Sequence, residues 1–169
     1  VVQLLTMPVS VSTLVWGKFL ASWIFAAAAL VLTFPFWLTV NYLGAPDNGV
    51  IAGSYLGSWV LAGCMLAISQ TMSALTKNQV IALVLAVIVN FLFFLSGVEY
   101  VLGFFRMFAP AAVVDMVASF SFLVHFGTIA GGLLEMRDVV FFVSVILLFN
   151  VTTILVVSFR TSGTSRWLK

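Results

Sequence analysis

The sequence predicts an all-α, polytopic membrane helix bundle: four transmembrane helices plus short outer-leaflet or re-entrant helices. Three observations carry that expectation. Hydrophobic residues make up 63% of the 169 positions and charged residues only 7%, against about 25% charged in a soluble domain. Four long runs, 19–46, 50–76, 78–98 and 139–159, hold no charge at all. Each offers at least about 20 mostly apolar residues, enough to cross the roughly 30 Å hydrocarbon core of a bilayer as a helix. All 5 acidic residues then fall on one side of the lipid those runs imply. Backbone groups in lipid must bond to protein, and a helix achieves this within each segment. A barrel would need alternating strands of about ten residues, whereas a run such as 80–89 is apolar on every side.

The elements follow in order, within one membrane-spanning domain over 1–169. The first span is read at 19–43. Pro35 lies inside it and removes a backbone hydrogen bond, so a kink is expected there. Ala45-Pro46-Asp47-Asn48-Gly49 supplies a short turn. The second span is read at 51–75, where Gly53 and Gly57 form a small-xxx-small pair that lets helices approach closely. Thr76-Lys77-Asn78-Gln79 turns the chain into a third span at 79–98.

Segment 99–138 is longer and remains rich in apolar side chains. Val113, Met116, Val117, Phe120 and Val124 recur there at helical spacing, with Asp115, Ser119 and His125 toward another side. Gly131-Gly132 interrupts a second apolar patch. One or two short helices, dipping into the outer leaflet or lying on it, are expected. A fifth and a sixth crossing would each be short. Asp138 is placed to N-cap the last span, read at 139–159 and followed by a tail at 160–169.

Charge sets the orientation. Lys18, Lys77, Arg160, Arg166 and Lys169 share one side of a four-span bundle. Asp47, Glu99, Asp115, Glu135 and Asp138, with Arg106 and Arg137, share the other. Basic residues in short loops mark the cytoplasm. The start of the chain, the Lys77 turn and the carboxyl end are therefore expected inside the cell. The opening Val1-Val2-Gln3-Leu4-Leu5 has no basic stretch before an apolar run, so no signal peptide is read there. The chain is expected to begin partway through a longer protein.

Several function classes fit poorly. The net charge is +2 with no basic stripe, so nucleic acid is not an expected partner; membrane lipid is. Cys64 is the single cysteine and reads as a small apolar core residue. His125 is the only histidine, and no metal site is expected. Asp115, Ser121 and His125 could be drawn as a catalytic set. Yet Asp115 and His125 lie about 80° apart around an ideal helix, and an amphipathic surface helix accounts for them. No catalytic residue is assigned, and no enzyme activity is expected of the chain itself. The spans hold Gln70, Asn90, Asn150, Thr152 and Thr153 but no ionisable acid, base or histidine. Polar groups in lipid need partners, and helix–helix hydrogen bonds supply them; Asn90 or Asn150 lining a substrate path is the sharper alternative. Proton-driven carriers use a titratable relay in the membrane. Its lack means that any transport would draw energy from another subunit. No phosphate-binding loop of the Walker type is present.

Gln3-Leu4-Leu5-Thr6-Met7-Pro8-Val9-Ser10 precedes Gly17-Lys18-Phe19 and a long span. That text resembles the cytoplasmic coupling segment of type-2 ATP-binding-cassette (ABC) permeases. Asp47-Asn48-Gly49 then leads into Gly53-Ser54-Tyr55-Leu56-Gly57. Ser73-Ala74-Leu75-Thr76-Lys77-Asn78-Gln79 is similar to a turn in the branch that includes gliding-motility permeases, as are His125-Phe126, Gly131-Gly132 and Arg137-Asp138-Val139-Val140-Phe141-Phe142. The resemblance runs from Gln3 to Arg160. It implies the last four of six spans, a coupling segment at 3–17, and an ATPase interface at Leu4, Leu5, Thr6, Pro8, Val9 and Ser10. It also implies a separate ATPase subunit that binds the ATP, a second permease copy or relative, and no cofactor of the chain's own. An exporter in the bacterial plasma (inner) membrane is the expected function. A non-transporting anchor or assembly subunit of a surface or motility machine is the alternative.

Overall fold

The computed structural model describes residues 10–133 and 135–164, and within them the chain is helical with no strand. Eight helices follow one another: α1 (Val11–Leu32), α2 (Phe34–Leu43), α3 (Asn48–Leu75), α4 (Gln79–Leu95), α5 (Glu99–Arg106), α6 (Ala111–Ser119), α7 (Phe122–Ala130) and α8 (Met136–Thr164).

Local chemistry sets most of the boundaries. Ser10 caps α1, its hydroxyl accepting from the Thr13 backbone N–H at 3.3 Å. Asp47 caps α3 by accepting from the Gly49 N–H at 2.8 Å. Asn78 caps α4 by accepting from the Val80 N–H at 2.9 Å. These side chains satisfy amide donors that a helix start leaves open. The break between α1 and α2 falls at Thr33, two residues before Pro35, which sits in the first turn of α2. Proline tolerates that position because the first turn needs no N–H from it. Thr33 donates its hydroxyl to the Leu30 carbonyl at 2.6 Å, and Tyr55 of α3 donates to the Thr33 carbonyl at 3.1 Å.

Three stretches are long and apolar enough to cross a membrane: Val11–Leu43, Asn48–Leu75 and Met136–Ser162. The number reaches 5 if the bent pairs α4–α5 (74°) and α6–α7 (62°) each count as one span. At 17 residues, α4 alone extends only about 26 Å. Several long apolar helices of this kind suggest a multi-pass membrane protein. Its outward side chains agree: Phe25, Leu32, Leu83, Phe91 and Leu148 are all exposed.

Helix α3 is the hub, packing against α1, α4, α7 and α8. The core gathers Phe19 from α1, Cys64, Ala67 and Ile68 from α3, Phe122 and Ile129 from α7, and Phe142, Val145 and Ile146 from α8. Small residues make the close contacts. A Cβ on Gly53 would stand 2.5 Å from the Ile129 carbonyl oxygen, and one on Gly57 would meet Ile129 and Phe126 side chains at 3.2–3.3 Å. The small-xxx-small pair thus receives the short helix α7.

Two expectations for the outer segment are corrected. Asp138 is not the cap of the last helix: α8 starts at Met136, and Asp138 stands inside its first turn. The apolar stripe does not run along one helix, because the chain breaks at 120–121 between α6 and α7. Val113, Met116, Phe120 and Val124 are exposed, while Val114, Phe122, His125 and Ile129 are buried. The physical reason is the solvent. Lipid accepts an apolar face, so the polar side of α7 turns inward, where His125 finds bonding partners.

Candidate functional site

Two polar features stand out in this apolar bundle: a groove between α3 and α4, and a buried histidine–aspartate pair beneath the outer helices.

The groove has a volume of about 790 Å³. Met65, Ser69 and Ser73 of α3 line it at four-residue spacing, facing Ala82, Ala86 and Asn90 of α4 at the same spacing. Residues four apart lie on one helix face, so Ser69 and Ser73 of one helix share the groove with Ala82, Ala86 and Asn90 of the other, among apolar neighbours. Asn90 donates its amide to the Ser69 hydroxyl at 3.2 Å and to the Ala86 carbonyl at 2.8 Å. Its side-chain oxygen has no partner among the described residues. Asn150 is placed differently. It is fully buried on α8, donates to the Ile146 carbonyl at 2.9 Å, and also carries an unpartnered oxygen. One of the two asparagines therefore lines the groove, and the other is sealed in the core.

The remaining span polar groups bond across helices or back along their own. Thr71 of α3 and Thr153 of α8 approach at 2.9 Å, with the Phe149 carbonyl 2.9 Å from each hydroxyl. Gln70 donates to the Val15 carbonyl of α1 at 3.0 Å. Thr152 donates to the Leu148 carbonyl at 2.8 Å within α8. At the end of α3, the Arg160 guanidinium donates to the Leu75 carbonyl at 2.5 Å, a cation at a helix C-terminus where the dipole favours it.

A buried hydrogen bond joins His125 of α7 to Asp138 of α8, Nδ1 to Oδ1, at 2.5 Å. The two residues are only 4% and 3% exposed, so neither is solvated. Nε2 lies 2.9 Å from the Ser119 carbonyl at the end of α6. The imidazole also stacks on Phe141, with ring centroids 4.0 Å apart. Asp115 is not the partner of His125, and Ser121 instead caps α7 by accepting from the Leu123 N–H at 3.1 Å. The Asp115–Ser121–His125 set is thus not assembled.

Leu4, Leu5, Thr6, Pro8 and Val9 lie outside the described residues. Ser10, the last of the six expected at an ATPase interface, is exposed and caps α1. Sequence reasoning missed the His125–Asp138 pair. A signal was present: two ionisable residues 13 apart bracket Gly131-Gly132, where the chain can double back. Gly132 does take a positive φ of 81°, a region open to glycine. Comparison with protein-family models, with curated proteins and with solved structures found no match.

Proposed function

We propose that the chain is a transmembrane permease subunit of an ABC transporter, exporting its substrate on energy from ATP hydrolysed by a separate ATPase subunit. The observation that carries this reading is the ordered resemblance from Gln3 to Arg160, with the Leu4-Leu5-Thr6-Met7-Pro8-Val9-Ser10 text directly before a long membrane helix. Four helical stretches serve as the spans: α1–α2, α3, α4 and α8. The α5–α7 segment is the outer cap.

The mechanism follows from mechanics rather than chemistry. ATP-driven closure of the ATPases moves the coupling segment. Ser10 ties that segment directly to α1 by capping it, so a displacement there passes into a helical stretch that reaches Leu43. α1 passes the motion to α3 through stacked Trp23 and Trp59. The wall of the path is the α3–α4 groove, apolar along most of its length with Asn90, Ser69 and Ser73 as polar points. Such a wall suits an amphipathic substrate. A second permease copy or relative completes the path on the other side. The uncharged runs 19–46, 50–76, 78–98 and 139–159 within these helices hold no acid, base or histidine, in keeping with energy supplied by a partner. The membrane is the bacterial plasma (inner) membrane, with the coupling segment and the carboxyl end in the cytoplasm.

The test is co-purification of an ABC ATPase subunit with this chain, repeated with Leu4 and Leu5 each changed to Asp. Association should fall at least about tenfold, because an apolar side chain offered to a partner's groove is exchanged for a charge that the groove would have to desolvate. Undiminished association removes the coupling role from this segment. ATPase activity stimulated by substrate, and lost in Leu5→Asp, separates a transporter from a non-transporting anchor.

A further inference from the structure

We propose that α5 and α6 form a hinged flap, a single hairpin that swings about the contact between Gly97 and Ser121 while α7 stays seated on α3. The inference rests on the fold alone, not on the permease reading, so either can fail without the other.

Two bends make the hinge. The chain turns by 74° between α4 and α5 and by 62° between α6 and α7. The first break is Ser96-Gly97-Val98 and the second is Phe120-Ser121. The two breaks touch. A Cβ on Gly97 would run into the Ser121 hydroxyl and stand 2.6 Å from the Ser121 Cβ, and both residues are buried. A hairpin held at two points turns as one piece only if both points lie close to one axis. Otherwise the swing of one leg would stretch the other, and covalent geometry does not give. The bare backbone at Gly97 brings the two points together.

The two sides of that contact are held very differently. On the bundle side, Phe93 of α4 stacks on Phe122 of α7, with ring centroids 5.1 Å apart and planes 13° from parallel. Phe122 belongs to the core, and α7 meets Gly53 and Gly57 of α3. On the far side, α5 and α6 pack chiefly on each other. Each has one buried side chain, Leu102 and Val114, while Tyr100, Phe104, Phe108 and Met116 are exposed. Beyond the turns at the breaks, one hydrogen bond among the described residues ties the hairpin to the bundle. It links His125 Nε2 and the Ser119 carbonyl at 2.9 Å, beside the pivot, and leaves the far end untethered. A segment with few buried contacts opens at low cost, and hinges are a few element-terminal residues that absorb the change.

The flap is attached where the α3–α4 groove ends. Phe91 and Phe94, near the C-terminus of α4, line that groove, and Gly97 follows Phe94 by less than one helical turn.

Electron-resonance distances between spin labels test this on the full chain in lipid nanodiscs, in a Cys64→Ala background. Phe104→Cys with Leu56→Cys spans the flap and α3; Tyr100→Cys with Met116→Cys lies within the flap. All four positions are exposed. In the native protein the first pair should show at least two distances and the second pair one. Gly97→Ala should shift the flap-to-α3 populations at least about fivefold, the low end for an extra methyl forced into packed space, and leave the within-flap distance unchanged. Adding Ser121→Gly removes the obstructing side chain at little cost to the α7 cap, and should restore the native populations. A single narrow flap-to-α3 distance in the native protein overturns the hinge. So does a within-flap distance that changes along with it. Populations that Gly97→Ala leaves as they were, or that Ser121→Gly fails to restore, overturn the pivot. If Gly97→Ala does not fold, the two native distances decide alone.

Discussion

Glycine and tryptophan set the tightest contacts in this bundle, and both can be tested one residue at a time. Gly53 faces backbone: an added methyl would lie 2.5 Å from the Ile129 carbonyl oxygen. Backbone cannot rotate away, so Gly53→Ala should push α7 outward at a cost of about 1–3 kcal/mol. Gly57→Ala meets only side chains at 3.2–3.3 Å, and should cost less. Thermal unfolding in detergent, with hydrogen exchange on α7, checks the ranking. Trp23 and Trp59 form a reciprocal clasp. Each indole N–H donates to the other's backbone carbonyl, at 2.9 Å and 3.3 Å, while the rings stack 4.5 Å apart. Trp23→Phe should lower stability by about 0.5–1.5 kcal/mol. Pairing it with Trp59→Phe should cost less than the sum, since each bond positions the other ring.

Between elements, polar bonds do what the hydrophobic effect cannot. Lipid tails are as apolar as leucine, so helices in a membrane gain little by hiding such side chains from it. The Thr71–Thr153 contact at 2.9 Å is the clearest polar tie between α3 and α8. Thr71→Val keeps the shape and removes the hydroxyl. It should cost about 0.6 kcal/mol and at most about 1.7 kcal/mol, the range measured for such bonds, read as a shift in unfolding in mixed micelles. The helices themselves were legible in the sequence, because long uncharged runs bounded by Pro, Asn, Asp and Gly report local preferences. Asp47 and Asn78 are caps that turn chemistry alone marks. The Asp138 misassignment shows where that logic ends. A carboxylate at a helix start satisfies the capping rule, but here a histidine 13 positions upstream claimed it.

For the whole molecule, charge asymmetry makes the sharpest prediction. Four alternating crossings would put the basic residues Lys18, Lys77 and Arg160 at one end and Glu99, Asp115 and Glu135 at the other. In intact cells, Phe108→Cys should react with a membrane-impermeant maleimide, while Lys77→Cys should react only after the cells are opened; Cys64→Ala is the background for both. Reversed labelling would invert the topology and remove the cytoplasmic placement of the coupling segment.

Composition and periodicity determined by themselves that this chain is helical and apolar on its surface, because both properties are local and lipid imposes them on each segment separately. The tertiary structure alone decided that α7 seats on the glycines of α3, that Asn90 lines a groove while Asn150 is sealed in the core, and that His125 meets Asp138. The last of these pairings requires the chain to double back through Gly131 and Gly132, and no residue's local preference encodes which distant partner it will meet.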